Sequence, residues 1–297
     1  LPYLLLPIYA IFLIVNRKTI PKPTMRAFVP SFIIIFIFLL PWLYILPQQL
    51  NVGLSAAAAS PAWAQVVGAP QAQSLIITFV KFTIGRISNS NNLLYGLLFL
   101  PAGLLVAALF TLSAFRTSKL RSFLYYWLFG TLLLGFIASF FVPVFAYFRF
   151  VFALPAFYLI LASAIHSVYW PPLTRTLLAL FLIVNLSSVF IYFAVPKFQR
   201  EDWKGATNYI LETKTDNSIV LFESNFTVAS FDYYNKGRIQ AAGGLDSFSP
   251  DQQKVHENIS NLASTKDKIY LFQYFTQITD PQGLIFKELS LLGFSNT

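Results

Sequence analysis

The sequence predicts a polytopic α-helical membrane protein of about six spans with a C-terminal extracytoplasmic α/β domain. Hydrophobic residues make up 56% of the 297 residues and charged residues only 11%, whereas an ordinary soluble domain has about 25% charged residues. Residues 1–196 contain 11 lysines and arginines but no Asp or Glu, and all 12 acidic residues follow from Glu201 onward. The chain is therefore predicted to have a transmembrane domain, residues 1–196, and a soluble domain, residues 197–297.

Apolar runs define the membrane domain, because a helix needs about 20 apolar residues to cross the hydrocarbon core. The predicted spans, of which the first is truncated, lie near residues 1–15, 28–46, 93–115, 123–141, 150–169 and 176–195. Between the second and third spans, residues 48–73 are uncharged and rich in Ala, Pro and Gly, which predicts an irregular loop. Residues 74–88 have apolar side chains at helical spacing, with Lys81 and Arg86 turned elsewhere, which predicts a helix in the headgroup plane.

Basic residues between the spans predict the orientation, because loops rich in Lys and Arg stay on the cytoplasmic side. Such loops occur at residues 17–26, at residues 116–121 and at Arg175. All of them agree with one alternating topology in the plasma membrane. That topology places Arg149 and the C-terminal domain on the extracytoplasmic side.

The C-terminal domain changes from continuous apolar runs to the periodicity of a soluble protein. Helical patterns alternate with short apolar runs such as SIVLF and KIYLF, and this alternation predicts a small α/β layer with a mostly parallel sheet. Asp280, followed by Pro281, is predicted to cap the last helix.

Arg149 lies between two apolar runs and is the main candidate for a binding residue. An arginine at the bilayer centre costs about 2.5 to 3.5 kcal/mol on insertion scales, so we expect Arg149 in a turn at the membrane surface. Pro143 is predicted to end the incoming span, and Pro155 to lie inside the outgoing one. An exterior arginine runs against the positive-inside tendency. Arg149 is therefore either a ligand for a lipid phosphate or a cation that sets topology.

Several segments, taken in order, resemble the later half of bacterial, notably cyanobacterial, membrane glycosyltransferases of the GT-C superfamily. They are LLPWLYILPQQL, GFIASFFVPVFAYF followed by RFVFALPAFYLILASAI, and REDWKGATNYILETKTDNSIVLF with FDYYNKG. These enzymes are relatives of the protein O-mannosyltransferases of glycosyltransferase family 39 and of lipid A aminoarabinose transferase. The resemblance covers most of the chain.

The resemblance implies transfer of a sugar from a polyprenyl-phosphate-linked donor to an envelope acceptor, which is a glycan, a lipid or a protein. In that family an arginine late in the membrane domain is often near the lipid phosphate, and Arg149 is the matching position. The family's general base, an acidic residue in the first exterior loop, has no counterpart here and is expected upstream of Leu1. Glu201 and Asp202 are alternatives, although an acidic first turn that complements a helix dipole explains them more simply.

Other candidate residues have simpler explanations. Lys81 and Arg86 could hold a phosphate, but contact with ordinary lipid headgroups is the more common use of such cations. The chain has no cysteine and only two histidines, so no metal site is predicted. The basic loops are expected to meet membrane lipid rather than nucleic acid, and no cofactor is expected besides the lipid-linked donor.

Two functions of other classes remain open. A transporter or flippase for a lipid intermediate would be expected to carry broken helices or paired intramembrane charges in related halves, and the sequence has neither. A non-catalytic membrane scaffold, whose exterior domain binds envelope polymer, would suit the missing carboxylates.

Overall fold

The computed structural model describes residues 2–59, 68, 70–115, 118–225, 228–246 and 251–296. The chain divides into two compact units. The first unit comprises Leu1–Gly53 and Gln65–Gln199, and the second comprises Leu54–Ala64 and Arg200–Thr297.

The described part of the first unit is helical. After a 3₁₀ turn at Pro2–Leu4, its helices are α1 (Leu5–Val15), α2 (Lys22–Ala59), α3 (Ala72–Ile84), α4 (Asn92–Ala114), α5 (Lys119–Tyr125), α6 (Thr131–Ala138), α7 (Leu154–His166) and α8 (Pro171–Ala194). A π-helical turn, Tyr126–Gly130, joins α5 to α6, and a 3₁₀ turn, Tyr147–Ala153, leads into α7.

Five helical segments among the described residues are long and apolar enough to cross a membrane, as expected for a helical membrane protein. They are Met25–Ser55, Asn92–Ala114, Lys119–Ala138, Tyr147–His166 and Pro171–Ala194. Two further apolar segments are shorter than a span, namely Pro2–Val15, predicted as a truncated span, and Ala72–Ile84.

Helix α2 extends through the first part of the segment predicted to be an irregular loop. It continues to Ala59 with Pro30, Pro41 and Pro47 inside it. The prediction of a loop from residue 48 is therefore wrong for residues 48–59. The reason is that the alanines at the end of this stretch have the highest intrinsic helix propensity.

The core of the first unit is built around α7. Phe157, Ile160 and Leu161 are fully buried there, and they pack with side chains of α3, α4 and α5 in one cluster. The hydroxyl of Tyr158 donates to the carbonyl oxygen of Phe82 at 3.1 Å and to Oδ1 of Asn185 at 2.8 Å. Tyr158 therefore ties α7 to both α3 and α8.

The sequence predicts Pro155 in a helix interior, but the structure does not place it there. It occupies the first turn of α7, where proline costs no hydrogen bond because the first amides of a helix have no partner within it. The chain before it is the 3₁₀ turn, and Phe150 in that turn has non-helical angles, φ −104° and ψ 17°. No neighbouring helix has to satisfy a freed carbonyl.

The second unit contains the predicted α/β layer. Its elements are α9 (Trp203–Thr213), β1 (Ser218–Ser224), α10 (Val228–Asn235), β2 (Ala241–Leu245), α11 (Gln252–Ala263), β3 (Lys268–Phe272), α12 (Thr276–Thr279) and α13 (Leu284–Leu291). The three-stranded sheet has the order β2-β1-β3, and both pairs are parallel.

Helices cover both faces of this sheet. Val220 and Phe222 pack with Ile210 of α9 on one face, whereas Leu221 packs with Ile259 and Ile285 of α11 and α13 on the other. Successive residues of β1 alternate between the two clusters, as the pleat of a strand requires.

Asp280 caps the last helix, but the helix begins later than predicted. Its carboxylate accepts from the backbone N–H groups of Leu284 at 2.8 Å and Ile285 at 3.0 Å. Gly283, with φ 64°, turns the chain between Asp280 and the helix. Pro281 therefore lies in the preceding turn and not at the first helical position.

Candidate phosphate-binding site

Lys81 lies in the last turn of α3 and is half-buried. Its ammonium donates to the carbonyl oxygen of Ile87 at 2.6 Å. Helix α3 ends at Ile84, and the next residue, Gly85, has a φ of 67°, which glycine adopts readily. This turn carries the chain back so that the Ile87 carbonyl lies next to Lys81.

Two tyrosines flank the same ammonium. Lys81 Nζ lies 5.3 Å from the ring centroid of Tyr95 and 6.0 Å from that of Tyr147, within the range of cation–π attraction. The Tyr95 hydroxyl also donates to the Ile87 carbonyl, at 2.9 Å. The site is thus a lysine between aromatic rings beside a shared carbonyl.

Arg149 lies two residues after Tyr147 in the same 3₁₀ turn. Its Nη1 donates to the carbonyl oxygen of Pro143 at 3.3 Å, and its Cζ lies 5.8 Å from the ring centroid of Phe148. Tyr147 contacts Lys81, and Arg149 follows two residues later in the same turn, so the two cations lie on elements that meet at Tyr147. We use the name cationic cluster for Lys81, Tyr95, Tyr147 and Arg149.

The electrostatics of the cluster favour an anion. Burial, with a further contribution from the nearby positive charge of Arg86, lowers the pKa of Lys81 from 10.5 to about 8. Residues 1–196 contain no Asp or Glu, so no carboxylate of the membrane domain neutralises these cations. A half-buried ammonium without a counter-ion is costly, and an incoming phosphate would remove that cost.

Other basic residues lie at the opposite end of α7. Arg121 donates to the carbonyl oxygen of Ser163, near the C-terminus of that helix, at 3.0 Å. Lys119 donates to the carbonyl oxygen of Thr19 at 2.5 Å, which joins two of the loops that the sequence assigns to one side of the membrane. The positive charge of the described bundle is therefore divided between its two ends. Residues 116–117 of the second loop lie outside the described residues.

The two acidic candidates of the C-terminal domain lie at the start of α9. Asp202 caps α9, because its Oδ1 accepts from the Gly205 N–H at 2.8 Å. Glu201 is exposed in the segment before that helix. In the described parts of the chain, no group of three or more His, Cys, Asp or Glu side chains could hold a metal ion.

The sequence analysis names Arg149, Lys81 and Arg86 as candidates but not Tyr95. The structure brings Lys81 together with Arg86, Tyr95 and Tyr147, and it places Arg149 in the turn that carries Tyr147. Tyr95 could have been identified from the sequence, because it lies in the first turn of a span next to a loop with cations, and tyrosine is enriched at membrane interfaces. The contact of Tyr95 with Lys81 depends on the Gly85 turn.

Comparison with protein-family models finds no match to this chain. Comparisons with curated proteins and with solved structures also find none.

Proposed function

We propose that this chain is part of a membrane glycosyltransferase that moves a sugar from a polyprenyl-phosphate-linked donor to an envelope acceptor. The observation that carries the proposal is the cationic cluster, which holds a half-buried lysine and an arginine in a domain without carboxylates. The resemblance to the GT-C superfamily supplies the reaction. The cluster supplies two cations, Lys81 and Arg149, on elements that meet at Tyr147.

In this proposal Lys81 and Arg149 bind the phosphate of the donor. Arginine and lysine both bind phosphate, arginine through a planar set of donors and lysine as a point charge. When the bond between the sugar's anomeric carbon and the phosphate oxygen breaks, negative charge grows on the phosphate. Cations fixed beside that oxygen stabilise the transition state.

The acceptor hydroxyl attacks the anomeric carbon from the opposite side, so the sugar inverts, and its proton goes to a general base. Within this chain the candidates for this base are Glu201 and Asp202. In the same proposal the cationic cluster and the second unit face the extracytoplasmic side of the plasma membrane, where the donor and the acceptor meet.

Lipid-linked sugars in a deletion strain test this function. We expect one polyprenyl-phosphate sugar to accumulate, as measured by mass spectrometry of lipid extracts, and one envelope glycan to be lost. Wild-type protein restores the glycan, whereas Arg149→Ala and Lys81→Ala proteins, expressed at equal levels, do not.

Arg175→Ala is the matched control. Arg175 is an exposed arginine in the first turns of α8. Helix α8 follows the C-terminal end of α7, whereas Arg149 precedes the N-terminal end of α7. It should restore the glycan as wild type does. A deletion strain with unchanged lipid-linked sugars and glycans would contradict the proposed function.

A further inference from the structure

The open edge of the sheet in the second unit lies at the floor of a groove. Within the described residues β3 pairs with β1 alone. The groove has a volume of about 900 Å³, and residues 268–273 line it without interruption. Because successive side chains of a strand point to opposite faces, a cavity that touches every residue in turn runs along the strand's edge.

Two helices, one on each face of the sheet, form the walls of this groove together with residues 292–296, which follow α13. Tyr209 and Ile210 line it from α9, the helix that packs on the face of Tyr270 and Phe272. Phe286 and Leu289 line it from α13, the helix that packs on the other face. Because one cavity is lined by both walls and by every residue of the strand, the strand's edge lies recessed between them.

We propose that this recessed edge binds an extended segment of another protein, which adds to the sheet as a fourth strand. An unpaired strand edge presents backbone N–H and C=O groups at the spacing that another strand matches. Affinity would come from these main-chain bonds. Selectivity would come from side chains that alternate toward the α9 wall and the α13 wall.

The recess favours a single extended segment over a second copy of this chain. A second β3 would bring its own α9 and α13, and those helices would meet the walls of the groove before the two strand edges could pair. A tail or loop without flanking helices has no such obstacle. The occupant is therefore a partner segment and not another β3.

The charges of the groove define the chemistry of that segment. Among the lining residues only Asp267 and Lys268 are charged, and they are adjacent at one end of the strand. Asp267 Oδ2 accepts from Asn217 at 3.1 Å, and Lys268 donates to the Thr213 carbonyl oxygen at 3.1 Å. The remainder of the lining is uncharged and mixes polar with apolar side chains, so the segment has uncharged side chains along its length.

A labelled, end-blocked peptide with the sequence SIVLF is a suitable probe, because these five residues of β1 are uncharged and already pair with the other edge of β3. Its binding to the full chain in lipid nanodiscs is measured by fluorescence anisotropy. We expect saturable binding that weakens about tenfold or more when alternate peptide amides are N-methylated, since methylation removes the donors but keeps the side chains.

Variants locate the binding to the groove. Tyr209→Glu and Phe286→Glu, at side chains that are 63% and 45% exposed, should each weaken binding about tenfold or more by placing a charge on a wall. Tyr233→Glu, at a tyrosine of α10 that is 74% exposed and outside the groove, should bind as wild type does.

Hydrogen exchange measures directly whether the amides on the outer edge of β3 are hydrogen-bonded. In the chain alone the β3 amides that point away from β1 should exchange quickly, and the peptide should slow them. Failure of the peptide to bind, or equal binding of its N-methylated form, overturns the proposal. Slow exchange of those amides in the chain alone, increasing with chain concentration, would assign the edge to a second copy instead.

Discussion

Lys81 is a half-buried cation whose charge is costly to the fold. Its pKa is lowered to about 8, first by burial and then by Arg86. Between that value and its ordinary pKa of 10.5, the folded chain binds fewer protons than the unfolded chain. The stability of the fold therefore rises with pH through this window, because the buried charge is relieved. Below the window, a bound phosphate offers the same relief.

The pH dependence of phosphate binding tests this account. We expect the affinity for a polyprenyl phosphate to fall as the pH rises through about 8, because a neutral Lys81 amine attracts the phosphate less. In Lys81→Arg the profile should be flat over the same range, since a guanidinium stays charged. Equal pH profiles for the two proteins, measured by equilibrium binding, would show that Lys81 does not hold the phosphate.

Glu223 is a second buried ionisable residue, and it lies in the second unit. Its two carboxylate oxygens accept from the hydroxyls of Thr276 at 2.9 Å and Thr279 at 2.8 Å. Burial is the main cause that raises its pKa from 4.5, and the nearby Asp280 adds to it. The folded unit therefore holds this proton to a higher pH than the unfolded chain does. The resulting stability is present below pH 4.5 and is lost as the pH rises through the raised pKa.

We predict that Glu223→Gln reduces this pH dependence, because an amide does not ionise. Protection of the β1 amides against hydrogen exchange, corrected for intrinsic rates, should fall from pH 4.5 to pH 7 in wild type. The decline should be smaller in the variant. An unchanged decline would assign the pH dependence to other groups.

The 3₁₀ turn that carries Arg149 is held in place by close packing between elements. Phe150 of this turn is fully buried against Gly135 of α6, where an added Cβ would lie 2.4 Å from the Phe150 ring. That distance is far below van der Waals contact, so a side chain at residue 135 would move the turn.

We expect Gly135→Ala to destabilise the first unit by about 1 to 3 kcal/mol, the usual cost of overpacking a core, and to weaken phosphate binding. Gly96→Ala is the control: Gly96 lies inside α4 with nothing within 4 Å of an added Cβ. That substitution should be neutral or slightly stabilising. Thermal unfolding of both variants in detergent checks the prediction, and equal melting temperatures would contradict it.

At the scale of elements, the sequence predicted kinds of structure better than boundaries. The parallel strands and the helices between them follow from apolar runs and turn residues. The start of α13 and the position of Pro155 do not follow from the local sequence, because each depends on a turn whose geometry is set by packing. Helix α2 passes through three internal prolines, and local propensity alone gives no reason to expect that.

At the scale of the whole molecule, the membrane topology can be determined by labelling single introduced cysteines, because the sequence itself has no cysteine. We expect Ser90→Cys, near the cationic cluster, and Thr265→Cys, in the second unit, to react with an impermeant maleimide in intact cells. Ser118→Cys, beside Lys119, should react only after the membrane is opened, because the basic loops are predicted to be cytoplasmic. All three residues are exposed. The opposite labelling pattern would reverse the orientation.

The division of charge between the two domains was readable from the sequence, since it needs only a count of residues. Only part of the candidate site could be predicted from the sequence. Arg149 and Lys81 stand out as cations among apolar residues, whereas their placement at one end of the bundle depends on the Gly85 turn and on α7. Contacts between residues far apart in sequence, such as Tyr158 with Asn185, carry no local signal.

Binding of a polyprenyl phosphate to the purified chain is the most direct test of the central claim that the cationic cluster holds a lipid phosphate. Native mass spectrometry should show one bound lipid, and the affinity should fall about tenfold or more in Lys81→Ala and in Arg149→Ala, because each loses a charge-assisted contact. Arg175→Ala should bind as wild type does. Wild-type affinity in both cluster variants would contradict the claim.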